Sequence, residues 1–296
     1  MRACVIFNPV ARGDRARDFR ARLAGLSASV ELMPTQAAGH GRVLAAAAVA
    51  AGFDTVIAAG GDGTLNEVLN GLADAPGGLE RARLGVLPLG TVNVFARELG
   101  LPIDLDGAWR VLEAGREARI DLPEVGFGAG ATAQSRCFAQ LAGAGLDARA
   151  IELVSWGEKK ILGPLAYVLA GFKAMTEEQA AITVRTEAGE EQGELVLVGN
   201  GRFYGGTLQV FPEASLCDGR LDVTVFPKVN WQTLARSGWG WLNESMLAGA
   251  GCRTLQAASF TLTADRPAAL QLDGDAVGHL PARFSVRPQA LRVVVP

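Results

Sequence analysis

What the chain lacks narrows its role first. Cysteine is scarce, and Cys4, Cys137, Cys217 and Cys252 show neither a CxxC pair nor metal-ligand spacing. This argues against a disulfide framework or a zinc site and predicts reduced thiols. Histidine is scarcer still: His40 and His279 have no serine or cysteine partner in a recognisable motif, so a hydrolase triad is not indicated. His40 is expected at a helix start. Of the 28 basic residues only Lys159, Lys160, Lys173 and Lys228 are lysines, and the formal net charge is −3. That balance gives no global pull toward nucleic acid or an anionic surface. No apolar run approaches the ~18 residues that span a bilayer, and the opening MRACVIFNPVARG is too short in apolar residues for a signal peptide. A cytoplasmic chain is therefore expected, with any membrane contact peripheral and on the inner face. Walker A, GxGxxG and protein-kinase HRD or DFG signatures are also missing.

What is present centres on Asp54 to Gly71, DTVIAAGGDGTLNEVLNG. Val56 to Ala59 is a short apolar run of buried-strand type, broken by Gly60-Gly61-Asp62-Gly63. A helix follows, with Thr64 as the expected N-cap, Glu67 closing a capping box, and Leu65, Val68, Leu69 and Leu72 at helical spacing. A strand, a glycine turn and a helix start gather free backbone N–H groups and the positive end of a helix dipole, which suits a phosphate. A tight connection with no ligand gives the same pattern, so the turn by itself does not decide.

With 296 residues and 49% hydrophobic composition the chain can bury a large core, in one big domain or two ordinary ones. Strands are predicted at 3–7, 30–33, 55–59 and 84–87, alternating with helices, which implies right-handed βαβ units and a parallel sheet. The loops after those strands emerge at one sheet edge, where open α/β folds bind ligands. They bring Asn8, Thr35, Gly60 to Thr64 and Gly90 to Asn93 to one crevice. After about Leu122 the texture changes. Helical periodicity persists at 148–156 and 161–175, but short strands dominate, at 181–186, 194–198, 208–211, 221–226, 259–263, 269–272, 283–287 and 291–295. These suggest an antiparallel β-sandwich and a boundary near Leu122-Pro123.

Taken together, Asn8-Pro9, GGDGTLNEVLNG at 60–71, PLGTVNVFARELGLP at 88–102, GNGRFYGGTLQVFPEASLCDGRLDV at 199–223 and LQLDGDAVGHLP at 270–281 resemble the diacylglycerol kinase catalytic-domain family. That family includes bacterial lipid kinases and the sphingosine and ceramide kinases. The resemblance implies an α/β plus β architecture: an N-terminal parallel-sheet nucleotide domain and a C-terminal antiparallel β-sandwich, with ATP in the cleft between them. It further implies a last strand returning to the first domain. The expected division is 1–122 with 285–296 for the ATP-binding domain, and 123–284 for the lipid-substrate domain.

The implied activity is ATP- and Mg²⁺-dependent transfer of a phosphate to a hydroxyl of a diacylglycerol-like or sphingoid-like lipid. Gly60, Gly61, Gly63 and Thr64 would line the phosphates, with Asn8, Thr35, Glu67, Thr91 and Asn93 around the nucleotide. Asp62 would face the metal and phosphates, or would simply cap a turn. Asp218 matches the family's structural Mg²⁺ position, or forms a plain Asp-Gly turn. Asp273 and Asp275 form the remaining acidic pair, Asp275 standing where the family usually has the glutamate suited to accept the substrate proton. One methylene fewer withdraws that carboxylate by roughly a bond length, and an error of ~1 Å can cost about a hundredfold in rate. Arg12 stands where glycine is common in the Asn-Pro loop. Two rival expectations are a soluble small-molecule kinase of the NAD kinase kind, and a nucleotide- or lipid-binding protein that has lost turnover. Membrane contact would involve the face of Ile161, Leu165, Val168, Leu169 and Phe172 beside Lys159-Lys160, or Trp231, Trp239 and Trp241; a core-facing helix, the more frequent case, and tryptophans filling a core give the same patterns. Oligomeric state is open, a homodimer included.

Overall fold

Ala3 to Phe7 are buried throughout, and alternate residues serve two different cores. Cys4 and Ile6 face one side of the sheet; Ala3, Val5 and Phe7 face the other. A strand apolar on both faces needs a covering layer on each, which is why helices flank it on both sides. In the computed structural model the described residues are 2–11, 14–26, 30–128, 130–153, 173–174, 176–230 and 251–296. The first half runs β1 (Ala3–Phe7), α1 (Asp14–Leu26), β2 (Glu31–Pro34), α2 (His40–Ala50), β3 (Thr55–Gly60), α3 (Asp62–Asp74), α4 (Gly78–Arg81), β4 (Arg83–Pro88), α5 (Val94–Glu98) and α6 (Leu105–Ala114). Helices α2 and α3 cover one face; Phe19 of α1 and Ala108 and Leu112 of α6 cover the other. Leu23 and Leu26, expected on the apolar side of α1, lie outside the described side chains.

The second half is mostly strand: β5 (Glu117–Phe127), β6 (Gln134–Cys137), β7 (Leu141–Gly145), α7 (Leu146–Leu153), β8 (Ile182–Thr186), β9 (Gly189–Gly193) and β10 (Leu195–Gly199). It continues through β11 (Phe203–Tyr204), β12 (Leu208–Gln209), β13 (Leu221–Phe226), β14 (Arg253–Ala257), β15 (Ser259–Ala264), β16 (Ala269–Leu272), β17 (Asp275–His279) and β18 (Ala282–Val294). A sheet of ten strands runs β2-β1-β3-β4-β18-β15-β8-β9, with β5 on β18 and β6 on β5. Its first four strands are parallel. An antiparallel sheet, β14-β13-β10-β7-β16-β17, packs against its far end. Val125, Ile182, Val184, Phe260 and Phe284 from one sheet meet Ala142, Val196, Val198, Val223 and Leu270 from the other, and the Phe260 and Phe284 rings stack at 4.8 Å. This is the sandwich.

The structure changes several expected boundaries. Leu122-Pro123, the expected boundary, lies inside β5, where Pro123 pairs with Val286. The two expected strands at 283–287 and 291–295 are one strand, β18, with a register shift between Arg287 and Leu291. Phe284 of β18 pairs with Phe260 in the sandwich, whereas Val293 pairs in parallel with Leu84 of β4. The last strand thus returns to the first half and makes one sheet continuous through both. The strand expected at 208–211 shortens to Leu208–Gln209. The expected helix at 148–156 is α7; most of that expected at 161–175 lies outside the described residues.

The cysteines are all free. Burial pushes the thiols of Cys4 and Cys137 up to about 12. His40 opens α2 and accepts from the Gln36 amide through Nδ1, as a helix-start residue should.

Candidate functional site

Strand β3 ends in Gly60, and the chain turns directly into α3. Gly61 occupies the N-cap in an extended conformation, Asp62 is the first helical residue, and the Leu65 amide donates to the Gly61 carbonyl at 3.1 Å. Thr64 therefore lies within the first turn and is not the cap. Nor does Glu67 close a capping box. Its two carboxylate oxygens instead accept from the Gly39 and Gly41 amides at 2.7 and 2.8 Å, so it caps the neighbouring α2, whose own N-cap glycine has no side chain to offer.

A second turn packs on the first. The Leu89 and Gly90 amides donate to the Gly60 carbonyl at 2.9 and 3.2 Å. Asn93 holds this turn from within: it is 3% exposed, adopts φ 53°, accepts from the Gly90 amide at 2.9 Å and donates to the Gly90 carbonyl at 2.8 Å. Expected as a nucleotide contact, Asn93 is a brace for the loop, since its amide group is spent on the backbone. Asparagine suits this because it tolerates the left-handed region and bonds to its own chain.

Asp62 sits where the two turns meet and accepts from the Phe95 amide at 3.4 Å, at the start of α5. Burial, and then the charge of Asp273, push its pKa above the usual carboxylate value. A carboxylate in that condition is one that a cation would relieve.

The glycines of the two turns separate into two kinds. A Cβ on Gly60 would run into the Thr64 side chain, and a Cβ on Gly61 would lie 3.3 Å from the Gly90 Cα. The fold itself requires those glycines. Gly63 is different. It is exposed, helical, and a Cβ there would meet only an Asp275 carboxylate oxygen, at an ordinary 3.6 Å.

That contact brings the second half to the turn. Asp275 opens β17, preceded by Asp273 at φ 49° and Gly274 at φ 88°. Asp273 accepts from the Ala139, Gln140 and Leu141 amides at 2.8, 2.9 and 3.1 Å and from Asn66 Nδ2 at 2.8 Å. Four donors occupy the four acceptor sites of a carboxylate, so Asp273, expected among the catalytic groups, serves as an anchor. Burial raises its pKa while those donors favour the ion. Asp275 is exposed beside Gly63, the one contact among the described residues through which the second half reaches that residue.

Residues that periodicity did not reveal hold the halves together. Asn66 and Asn70, one turn apart on α3, both donate to the Cys137 carbonyl, and Asn70 accepts from the Cys137 amide at 2.9 Å. Glu98 on α5 accepts from Arg202 Nε at 2.9 Å, the Arg202 amide at 2.7 Å and Gln140 Nε2 at 2.9 Å. The signal was available in the sequence: two asparagines at i, i+4 on an otherwise apolar helix face need buried partners.

The outer positions of the predicted site are placed less decisively. Asn8 is exposed and accepts from the Val10 amide at 3.0 Å; Thr35 follows β2, its amide donating to the Phe7 carbonyl at 2.8 Å; Thr91 is exposed in the second turn. Asp218 is exposed and accepts from the Arg220 amide at 2.9 Å, the geometry of a plain Asp turn. The buried carboxylate against that loop is Asp121 of β5, 1% exposed, which accepts from the Gly219 and Gln289 amides at 2.6 and 2.8 Å. Among the described residues no cluster of three or more metal-ligating side chains occurs. Arg12, Lys159, Lys160, the 161–172 face, Trp231, Trp239 and Trp241 lie outside the described residues. No helix among the described residues is long and apolar enough to cross a membrane.

A parallel α/β half with a glycine turn at a helix start, facing an acidic turn from a β-sandwich half, defines a two-part protein whose halves meet at those turns. Comparison with known proteins makes that class specific. Residues 2–125 match the profile of the diacylglycerol kinase catalytic domain, and residues 140–295 match that of the YegS C-terminal NAD kinase beta sandwich-like domain. A diacylglycerol kinase of Staphylococcus saprophyticus is 32% identical over 310 residues, covering 100% of this chain and 95% of the relative. One from Staphylococcus epidermidis is 32% identical over 309 residues, covering 100% of this chain and 92% of the relative. The chain belongs to the diacylglycerol kinase family. A crystal structure of a diacylglycerol kinase from Bacillus anthracis shares the fold, with a TM-score of 0.77 and 23% identity over 100% of this chain and 97% of that one.

Proposed function

We propose that the chain is an ATP- and Mg²⁺-dependent lipid kinase that passes the γ-phosphate to a hydroxyl of a diacylglycerol-like lipid, with sphingoid or ceramide-like lipids as the second acceptor class. The observation that carries this reading is Gly63, which the fold does not require and whose missing Cβ leaves open backbone opposite Asp275. A glycine kept bare at a helix start, facing a carboxylate from the other half, is what close approach of a polyphosphate calls for.

The first-turn amides of α3 donate to the phosphates, and the two stacked turns fix where those amides point. Asp62 is the carboxylate that would hold Mg²⁺; burial, and then the charge of Asp273, raise its pKa, and a bound cation would offset both. Mg²⁺, when bound, would draw negative charge off the phosphates. Asp275 accepts the proton of the lipid hydroxyl as its oxygen attacks in line. Asp218 is the candidate for a separate structural Mg²⁺; burial, and after it the charges of Asp218 and Glu213, raise the pKa of Asp222 beside it. The lipid would be taken at a membrane surface by peripheral contact.

Incubation with γ-labelled ATP, Mg²⁺ and a total lipid extract, with NAD as a parallel acceptor, tests the reading. Label in a lipid, lost in Asp62→Ala without loss of fold, is expected. Label in NAD alone, or in nothing despite ATP binding, would overturn it.

A further inference from the structure

Gln271 lies on β16, is 1% exposed, and stands at the bulge where the β16–β17 register slips. Its two amide atoms do different work. Oε1 accepts from the Gly274 amide at 2.9 Å, and Nε2 donates to Asp147 Oδ2 at 2.9 Å. Tyr204 donates its hydroxyl to the other oxygen of Asp147. Room for this carboxylate comes from Gly143, where any Cβ would run into Asp147.

The turn so held needs holding. Asp273 and Gly274 are consecutive residues with φ 49° and 88°, a conformation that a side-chain-bearing residue adopts at some cost in energy. The anchored Asp273 fixes one side of the turn, and nothing in that anchor determines the orientation of the next peptide. Gln271 grips that peptide through the Gly274 amide, one residue before Asp275. Tyr204 adjoins Phe203, whose amide donates to Glu98 at 3.2 Å, and Glu98 ends α5, the helix whose start meets Asp62. Hydrogen bonds joined by short stretches of chain thus connect the turn that holds Asp62 to the turn that carries Asp275, by way of Gln271.

We propose that Gln271 is a positioning residue for phosphate transfer: by holding the Gly274 amide it sets how far Asp275 reaches toward Gly63. This rests on Asp275 being the proton acceptor. It also accounts for an aspartate at this position, since a short carboxylate demands a backbone placed without slack. Only glutamine meets the local demand. Glutamate has no donor for Asp147, asparagine is one methylene short, and leucine offers neither bond.

The test compares Gln271→Leu, Asp275→Ala and the double variant, using γ-labelled ATP, Mg²⁺ and dioleoylglycerol in mixed micelles. Gln271→Leu should lower kcat about a hundredfold, as an error of ~1 Å does, with the KM for ATP unchanged. Asp275→Ala should lose turnover, and adding Gln271→Leu to it should cost nothing further, because the two act as one unit. Hydrogen exchange at the Gly274 amide should accelerate in Gln271→Leu. Gln271→Asn, which can still hydrogen-bond but falls short of Gly274, should lose at least tenfold in kcat while remaining folded, and it carries the test if the leucine variant does not fold. Full turnover in either Gln271 variant, multiplying losses in the double variant, or unchanged exchange would overturn the proposal while leaving Asp275 in place. Full turnover in Asp275→Ala would instead remove the role of Asp275 itself.

Discussion

Gly63→Ala separates the demands of the fold from those of a ligand. The added methyl meets one atom, an Asp275 oxygen at 3.6 Å, which is normal contact, and the residue is already helical. Alanine at a helical position is favoured over glycine by about 0.5–1 kcal/mol because the unfolded chain has less freedom to lose. In a chain of this size that corresponds to a rise of about 1–4 °C in melting temperature. Function should move the other way. A methyl where a phosphate must touch the main chain displaces it by ~1 Å, and turnover should fall about a hundredfold. Differential scanning fluorimetry and the lipid phosphorylation assay, run on one preparation, read both effects. Gly61→Ala is the control, since its Cβ would crowd the Gly90 Cα at 3.3 Å and should lower stability. A Gly63→Ala protein with wild-type turnover would show that no phosphate approaches there. One with a lower melting temperature would show that the fold needs this glycine after all.

Three other perturbations follow from the same geometry. Asp62→Asn should lose phosphate transfer by a factor of at least ~10² yet melt higher, because it keeps the acceptor for the Phe95 amide and removes repulsion from Asp273. The folded pKa of Asp62 lies above its unfolded value, so this group favours the folded state at pH below the unfolded value, and that contribution is lost as pH rises through the folded one. The excess melting temperature of Asp62→Asn should accordingly grow from acid to neutral pH, and a constant difference would count against it. Glu98→Ala should cost about 2–4 kcal/mol, or about 5–10 °C, by orphaning the Arg202 and Phe203 amides and Gln140; the Arg202 guanidinium is discounted because that side chain is 42% exposed. Thermal melts check it, and a change under 1 °C would contradict the buried role. Millimolar Mg²⁺ should raise the melting temperature of the wild type by more than that of Asp218→Ala, which keeps Asp62; equal shifts in both would remove Asp218 as a metal site.

The α/β half was legible because β1, β3 and β4 are buried on both faces and all four of its strands run into glycine, proline or asparagine, so apolar runs and breakers coincide. Strand β1 matches the expected 3–7 residue for residue. The sandwich half was legible where Val, Ile and Leu alternate or run, as in β10 and β13, and illegible where the chain is small or charged. Strand β7 reads LAGAG and β9 reads GEEQG. Neither has β propensity; pairing with neighbours on both sides makes the first a strand, and a hairpin with β8 makes the second one. Strand β5 was hidden by Pro123, which suggested a boundary although proline is tolerated where its missing donor is not needed. At the site, the glycines and acidic residues were visible as types. Their division of labour was not, because it depends on partners up to 207 residues away, as Asn66 and Asp273 show.

That division explains how a carboxylate from the second half stands in register with a turn of the first. Strand β18 pairs with both halves, which aligns the sheets but leaves the cleft free to gape at its rim. The rim is closed by the Asn66–Asn70 grip on Cys137 and by Glu98 on the 202–203 backbone, on either side of Asp62. Both grips use side chains of the very helices whose starts form the two turns. A displacement of α3 or α5 that opened the turns would therefore also break buried hydrogen bonds to the other half, at about 1–3 kcal/mol for each group left unpaired. The phosphate side and the acceptor side are thus built as one unit. Weakening either grip should raise the distance between Gly63 and Asp275 in the folded chain, so turnover should fall even at temperatures well below the lowered melting point.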